Sequence, residues 1–424
     1  MNSFKNILIF TVFFYYNFNF YPKVIPYNVC LIIYNAIPII YLFINYKCLN
    51  KFIKIIRYDK GIVIAVIFLL ISHLWGVVTV AINDSYDYSF LYTIILVIRG
   101  IYINLFLAII ICKNVSENNC LELFIKYYLM SCALYVMTTI AFIINPDLKT
   151  IWSNSIHMTE VSFKLADGDV FGYVTRYGLK GFSGFQETIK CTISVIMLLY
   201  IITKIKSRKW FIIGLLSLLG NLFYGRIGVL TSIISLIIFE IITRKIVKFY
   251  YARSIIEFVV GIAFIICFVI PEDALTDYYS WLSGPVVAFI DGLSQGHMDF
   301  GPSANNVVNW YVLPDDGTLF LGDGLFSNKD GSYYMYTDAG FMRSVYYFGI
   351  IGSVFYYLSI ILLAFSFLNK HCGKSEFSLF VSSVISFFIV EYKGTSLVSF
   401  FPMLFVLSML INIDKTNKRI RMKK

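Results

Sequence analysis

The fold class the sequence predicts is an all-α, polytopic membrane helix bundle of about 12 transmembrane helices with two long outer loops, and three observations predict it. Hydrophobic residues make up 58% of the 424 and charged residues only 14%, far from the composition of a water-soluble domain. Apolar runs of about 15–25 residues recur along the chain, a length that crosses or nearly crosses the hydrocarbon layer. Clusters of Lys and Arg punctuate them at alternating connections, as the positive-inside rule requires.

The first run, 6–20, follows Met1–Lys5 as the core of a signal peptide would, but FNFYPKV after it offers no small-residue cleavage site, so it is expected to stay as a helix. Run 25–46 leads to the basic stretch KCLNKFIKIIRYDK. Runs 61–81 and 91–112 come next, with His73 in the outer half of the first and Arg99 about eight residues inside the second. Run 122–144 ends at the first long outer loop, 145–186. Run 188–203 returns to KIKSRK, and 210–223 with 227–243 form a helical hairpin around YGRIG that reaches TRKIVKFYYAR. Run 254–270 opens the second long outer loop, 271–340, and runs 341–367, 376–390 and 396–412 precede DKTNKRIRMKK. In this order the basic clusters share one face, so both termini are expected in the cytoplasm and residues 1–424 read as a single transmembrane domain. The loops, rich in Gly, Asp, Ser and Asn, are expected to hold short re-entrant or interfacial helices.

The formal charge of +10 would suggest a nucleic-acid partner in a soluble protein, but here its position along the chain explains it, and no nucleic-acid motif occurs. No Gly-rich phosphate loop points to ATP hydrolysis. The eight cysteines lie in apolar runs or on the cytoplasmic side, and no metal-ligand spacing occurs. Neither disulfides, a metal nor a cofactor is expected.

Soluble-phase chemistry is therefore expected on the outer face, where several cations break the inside bias. Arg99 lies in a helix about eight residues from its outer end, and Arg176, Lys180, Lys190, Arg226, Arg343 and Lys393 fall at outer helix ends or in the outer loops. Singly, each reads as a snorkelling residue or half of an internal ion pair. Together they suit an anionic headgroup held at the lipid surface, for which a pyrophosphate is the natural candidate.

Five stretches in order carry a family resemblance: RYGLKGFSGF (Arg176–Phe185), LFYGRIGVLTS (Leu222–Ser232), TLFLGDGLF (Thr318–Phe326), TDAGFMRSVYYFGIIG and EYKGTS (Glu391–Ser396). In this series the chain resembles Wzy-type O-antigen and capsule repeat-unit polymerases, over about residues 170 to 400; the first third is similar in hydropathy alone. The resemblance implies a metal-independent glycosyltransferase of the bacterial cytoplasmic membrane. Such enzymes move a growing glycan from its undecaprenyl pyrophosphate carrier to the next lipid-linked repeat unit. Donor and acceptor glycolipids, membrane lipid and a protein that regulates chain length are the implied partners.

The same resemblance matches Arg176, Arg226, Asp338 and Lys393 to the family's arginines, late acidic residue and lysine. The chemistry needs positive charge near the leaving phosphates and a base for the attacking hydroxyl. Asp338 is the expected base and Arg343, five residues on, binds either phosphate or that carboxylate; Lys180 and Arg99 join the substrate-binding set. His157 and His297, both in outer loops, are the next bases in rank. Asp323 in LGDG is expected to be structural, with Gly322 and Gly324 permitting a tight turn. Two alternatives share parts of this reading. An O-antigen ligase would have the same fold but presents a histidine where this chain has TDAG, and a lipid-linked oligosaccharide flippase or other transporter would suit twelve helices and a buried Arg99.

Overall fold

The computed structural model describes residues 2–114, 119–158, 176–205, 207–243, 307–329, 331–366 and 373–422, with 287, 288, 291 and 294 between them. The described residues form fifteen helices, one of them a single 3-10 turn, and one two-stranded hairpin. In chain order the α-helices are α1 (Asn2–Asn17), α2 (Tyr27–Ile44), α3 (Tyr46–Tyr58), α4 (Lys60–Ile82), α5 (Tyr92–Asn114), α6 (Cys120–Ile144) and α7 (Pro146–Ser155). The hairpin β1 (Tyr177–Gly178) and β2 (Gly181–Phe182) is followed by α8 (Phe185–Lys204), α9 (Arg208–Tyr224) and α10 (Arg226–Thr243). Beyond these come α11 (Asp316–Leu321), α12 (Gly340–Phe365), α13 (Lys374–Glu391) and α14 (Leu397–Met422).

Eight helices (α2, α4, α5, α6, α8, α10, α12 and α14) are long and apolar enough to cross a membrane. They make the protein an all-α polytopic membrane bundle, whose outward faces carry Ile, Leu and Val that water would not tolerate in such number: Ile32, Ile40, Leu74, Ile95 and Ile241 are all exposed. The expected count of about twelve is not reached among the described residues. Helices α1 and α9, at 16 and 17 residues, span only about 24–26 Å at 1.5 Å per residue, and α13 is diluted by five serines. The expected run 254–270 lies outside the described residues. Two helices were not expected as such. The basic stretch KCLNKFIKIIRY is itself helix α3, and α14 continues through Met422, well beyond the apolar run. The short helices α7 and α11 do occur where the outer loops were expected to hold them.

The chain divides into two compact units. The first comprises Met1–Asn45 and Phe106–Gly284. Helices α6 and α8 are its interior, buried on most sides, and α8 packs on α6, α9 and α10. An aromatic seam joins α1 to α6, with Phe13 edge-on to Phe124 at 5.3 Å and Phe18 stacked on Tyr135 at 4.1 Å; each such pair adds about 0.5–1.5 kcal/mol beyond its buried area. Polar side chains inside the unit pair across helices: Thr139 with Tyr224 (2.7 Å), Ser194 with Ser217 (2.8 Å), and Asn221 with the Ser232 hydroxyl (2.9 Å).

The second unit comprises Tyr46–Leu105 and Pro285–Lys424. Its principal packing is α4 along α12, with α14 buried beside them. Helix α12 is broken at Gly349, whose backbone (φ +63°, ψ −175°) is open to glycine almost alone. The break frees carbonyls that a continuous helix would use, and each finds a donor. The amides of Asp323 and Gly324 donate to the carbonyls of Tyr346 (2.7 Å) and Tyr347 (3.3 Å), and the Trp75 indole of α4 donates to that of Phe348 (2.9 Å). The segment supplying those amides is held in turn by α4 and the loop after it: Thr79, Asn83 and Ser85 donate to the carbonyls of Leu321, Gly322 and Gly324. A break in an apolar helix of this kind is tolerated where the freed groups are paired within the protein.

Candidate functional site

Of the seven cations expected on the outer face, Arg343, Lys393 and Arg99 belong to the second unit and Arg176, Lys180, Lys190 and Arg226 to the first.

In the second unit the sequence around α12 builds a polar cluster at the helix start. Thr337 is buried, its hydroxyl donating to the Trp310 carbonyl (3.2 Å) and accepting from the Ala339 amide (3.2 Å), which fixes the chain as it turns into the helix. Asp338 stands exposed on that turn, while Arg343 on the first turns of α12 is only 7% exposed. Its guanidinium is clamped between two rings, with the Tyr333 and Phe326 centroids 3.7 and 4.1 Å away. Desolvated cation–π contacts of this type contribute about 2 kcal/mol, which offsets part of the cost of burying the charge. Arg343 Nε has no hydrogen-bond partner among the described residues. Asp338 and Arg343 form no ion pair, yet they feel each other's field. Partial desolvation raises the Asp338 carboxyl above the ordinary aspartate value, against the opposing pull of Arg343 and Lys393.

Glu391, at the end of α13, was not singled out in the sequence and is the closest structural companion of this turn. It is fully buried. Its Oε2 accepts from the amide and hydroxyl of Ser396, both at 2.7 Å, while Oε1 has no hydrogen-bond partner among the described residues. Gly340 lies so near that a Cβ there would stand 2.7 Å from both the Glu391 carbonyl oxygen and Oε1. The signal in the sequence was an acidic residue closing an apolar run five positions before a serine, in the same EYKGTS that supplied Lys393. Lys393 itself is half-buried, two residues after Glu391.

Aromatic residues surround the turn. Tyr311 stacks on Tyr392 (4.6 Å) and donates to its carbonyl (2.7 Å), and Trp310, Tyr311 and Tyr334 pack around Ala339, Met342 and Tyr346. Met335 and Tyr336 both adopt left-handed backbone angles (φ +54° and +52°), costly for side chains of their size. Met335 and Tyr336 are 50% and 71% exposed and are separated from Asp338 by the buried Thr337. The LGDG segment is structural, as expected. Asp323 accepts from Thr318 (2.6 Å) and Tyr334 (2.9 Å), whose phenol is pushed up to about 12 by burial and by that bond. Asp87 ties the loop after α4 to the same segment, accepting from the amides of Phe326 (2.7 Å) and Ser327 (3.0 Å). Although burial works to raise it, these bonds and those from Ser89 hold the Asp87 carboxyl below the ordinary range.

In the first unit, RYGLKGFSGF forms the β1–β2 hairpin, with Gly178 opposite Gly181. Lys180 at its tip lies 2.5 Å from Glu187, which is buried on the first turn of α8 and also accepts from the Gly184 amide. Lys190 sits 3.9 Å from the same carboxylate and donates to the Asn17 carbonyl (2.6 Å). The charges of both lysines are thus met by a carboxylate of their own unit. Arg176 and Arg226 are half-buried and flank the same end of α8 through their backbones: the Ser183 amide donates to the Arg176 carbonyl (2.6 Å), and Gly225, before Arg226, leaves no room for a Cβ against Thr188.

The remaining residues are placed apart from these clusters. Arg99 is half-buried on α5, beside Gly100, which packs on Pro402. The His157 ring bonds to the Ile25 carbonyl (2.8 Å) and its amide donates to the Tyr21 carbonyl (2.7 Å), so it ties the end of α7 to the α1–α2 connection. His297 lies outside the described residues. His73 is buried between the Leu69 carbonyl (2.8 Å) and the Thr93 hydroxyl (2.9 Å). Comparison with protein-family models, curated proteins and solved structures finds no match to this chain.

Proposed function

We propose that the protein polymerises lipid-pyrophosphate-linked oligosaccharide repeat units at the outer face of a bacterial cytoplasmic membrane, with both termini in the cytoplasm. The observation that carries the reading in the structure is the presence at the start of α12 of an exposed carboxylate, Asp338, and a desolvated guanidinium with an Nε unpartnered among the described residues, Arg343. In this reading Asp338 takes the proton from an acceptor sugar hydroxyl as that oxygen bonds to the donor's anomeric carbon. The bond from that carbon to the carrier pyrophosphate breaks, and the departing phosphates gain charge that Arg343 neutralises. Tyr336 and Met335 offer the acceptor sugar an apolar surface beside Asp338. Lys393 adds to the positive field on the carboxylate.

The test is incubation of the purified protein with a lipid-linked repeat unit in the presence of EDTA. A ladder of products supports the proposal, and unchanged substrate, or polymer only when Mg²⁺ or Mn²⁺ is supplied, overturns it. A second reading, transport of a lipid-linked oligosaccharide, is favoured by the break in α12, because carriers place substrate at discontinuous helices. Against it, the carbonyls freed at Gly349 are already paired within the protein. Movement of the intact glycolipid across vesicles without a ladder would select transport.

A further inference from the structure

Helix α3 has a composition unlike its neighbours. Tyr46–Tyr58 contains Lys47, Lys51, Lys54 and Arg57 and no acidic residue. At 100° per residue these four, with Asn50 and Tyr58, occupy one side of the helix, while Cys48, Leu49, Phe52, Ile53, Ile55 and Ile56 occupy the other. The structure follows that division. Lys47, Lys51, Lys54 and Arg57 are exposed, Phe52 is fully buried, and α3 packs against α4 and α14 of its own unit. It follows Asn45, which closes α2, and precedes Asp59, whose carboxylate caps α4 by accepting from the amides of Gly61 (3.1 Å) and Ile62 (3.4 Å).

A helix of 13 residues spans about 20 Å and cannot cross the bilayer. Its apolar side is anchored on membrane helices while its opposite side carries four cations, the arrangement of a helix lying in the headgroup layer. We infer that α3 is a binding surface for anionic lipid headgroups, which Lys47, Lys51, Lys54 and Arg57 engage at the membrane–water boundary. The occupant follows from charge. Each basic residue held near an anionic surface shifts the preference for that surface by about fivefold, and four on one side act together. Neutral headgroups give no such gain. The inference is independent of the proposed enzymatic activity.

The experiment compares amide hydrogen exchange of residues 46–58 in the full-length protein reconstituted in vesicles of phosphatidylcholine alone and of phosphatidylcholine with phosphatidylglycerol. Exchange should slow by at least about tenfold in the anionic vesicles, and the protection should fade as sodium chloride is raised, because the interaction is screened. The combined variant Lys47→Gln, Lys51→Gln, Lys54→Gln and Arg57→Gln should exchange alike in both lipids, and the unmodified protein with inorganic phosphate in neutral vesicles should gain no protection. Equal exchange of the unmodified protein in the two lipids overturns the inference. Protection by inorganic phosphate alone would overturn it too, assigning the helix to a soluble anion instead.

Discussion

Replacing Gly349 by Ala sets two costs against each other in a way the structure quantifies. The alanine must hold φ +63° and ψ −175°, a region that costs a non-glycine residue about 1–3 kcal/mol. Its Cβ would also stand 2.2 Å from the Phe320 carbonyl oxygen and 2.5–2.6 Å from the carbonyl carbons of Phe320 and Leu321. All three are backbone atoms, so the segment carrying LGDG has to retreat by about an ångström, far enough to weaken the bonds from Asp323 and Gly324 to Tyr346 and Tyr347, each worth about 0.5–1.5 kcal/mol. The sum is about 2–6 kcal/mol. Gly331→Ala is the matched control, because Gly331 also has a positive φ (+83°) but nothing within 4 Å of its Cβ position, so it should cost about 1–2 kcal/mol. Thermal unfolding of the purified proteins in detergent, read by intrinsic fluorescence and by protease cleavage within 315–327, measures both. If Gly349→Ala is no more destabilising than Gly331→Ala, the docking of the loop on the broken helix is not what holds this region together.

Asp338→Asn should lower polymerisation by about 10²- to 10⁴-fold with protein abundance and donor binding retained; a well-folded variant that still builds long polymer removes Asp338 as the base. Because desolvation raises the Asp338 carboxyl and the proposed base must be ionised, polymerisation by the unmodified protein should fall on acidification at a pH above the ordinary aspartate value; an acid limb at or below that value contradicts the assignment. Arg343→Lys keeps the charge but loses the planar surface clamped by Tyr333 and Phe326, so donor use should fall by about tenfold or more, and unchanged KM and kcat would place the pyrophosphate elsewhere. Glu391→Gln can still accept from Ser396 whereas Glu391→Ala cannot, so the alanine variant should be the less stable by about 1–3 kcal/mol; equal melting of the two would show those bonds to be of little weight. A cysteine at position 153 should react with an impermeant thiol reagent applied from outside the cell and one at position 207 should not; the reverse pattern inverts the topology.

Hydrophobic runs located most of the described helices within a few residues, because burial in lipid demands continuous apolar composition and little else. The helix that broke this logic is α12: FGIIG reads as uninterrupted apolar sequence, and only contact with a loop distant in sequence shows why Gly349 is needed there. Helix α3 was legible as charge but not as structure, since a basic cluster between spans looks the same whether it is a loop or an amphipathic helix. At the candidate site, Asp338 and Arg343 were legible because polar residues at the mouth of an apolar run are conspicuous. The clamp of Phe326 and Tyr333 was not, because aromatics abound in this chain and their positions depend on the fold of the outer loop. Lys180 illustrates the converse. Its charge suggested a ligand, but Glu187, seven residues on, takes it up through a hairpin that sequence spacing does not reveal.

The pairing of α4 with the far end of the chain imposes an order on biogenesis. Helix α4 ends at Ile82 and α12 begins at Gly340, so 257 residues are synthesised between them, which takes roughly 13–50 s at about 5–20 residues per second. During that interval the ribosome delivers Phe106–Gly284, the longer segment of the first unit, while α4 waits without its partner. Thr79 and Asn83 can each bond to a carbonyl of their own helix in the meantime. For Trp75 the described residues offer no such substitute: among them its indole bonds to the carbonyl at the break in α12. A nascent chain stalled before α12 therefore holds α4 without the acceptor that its Trp75 indole has in the folded protein.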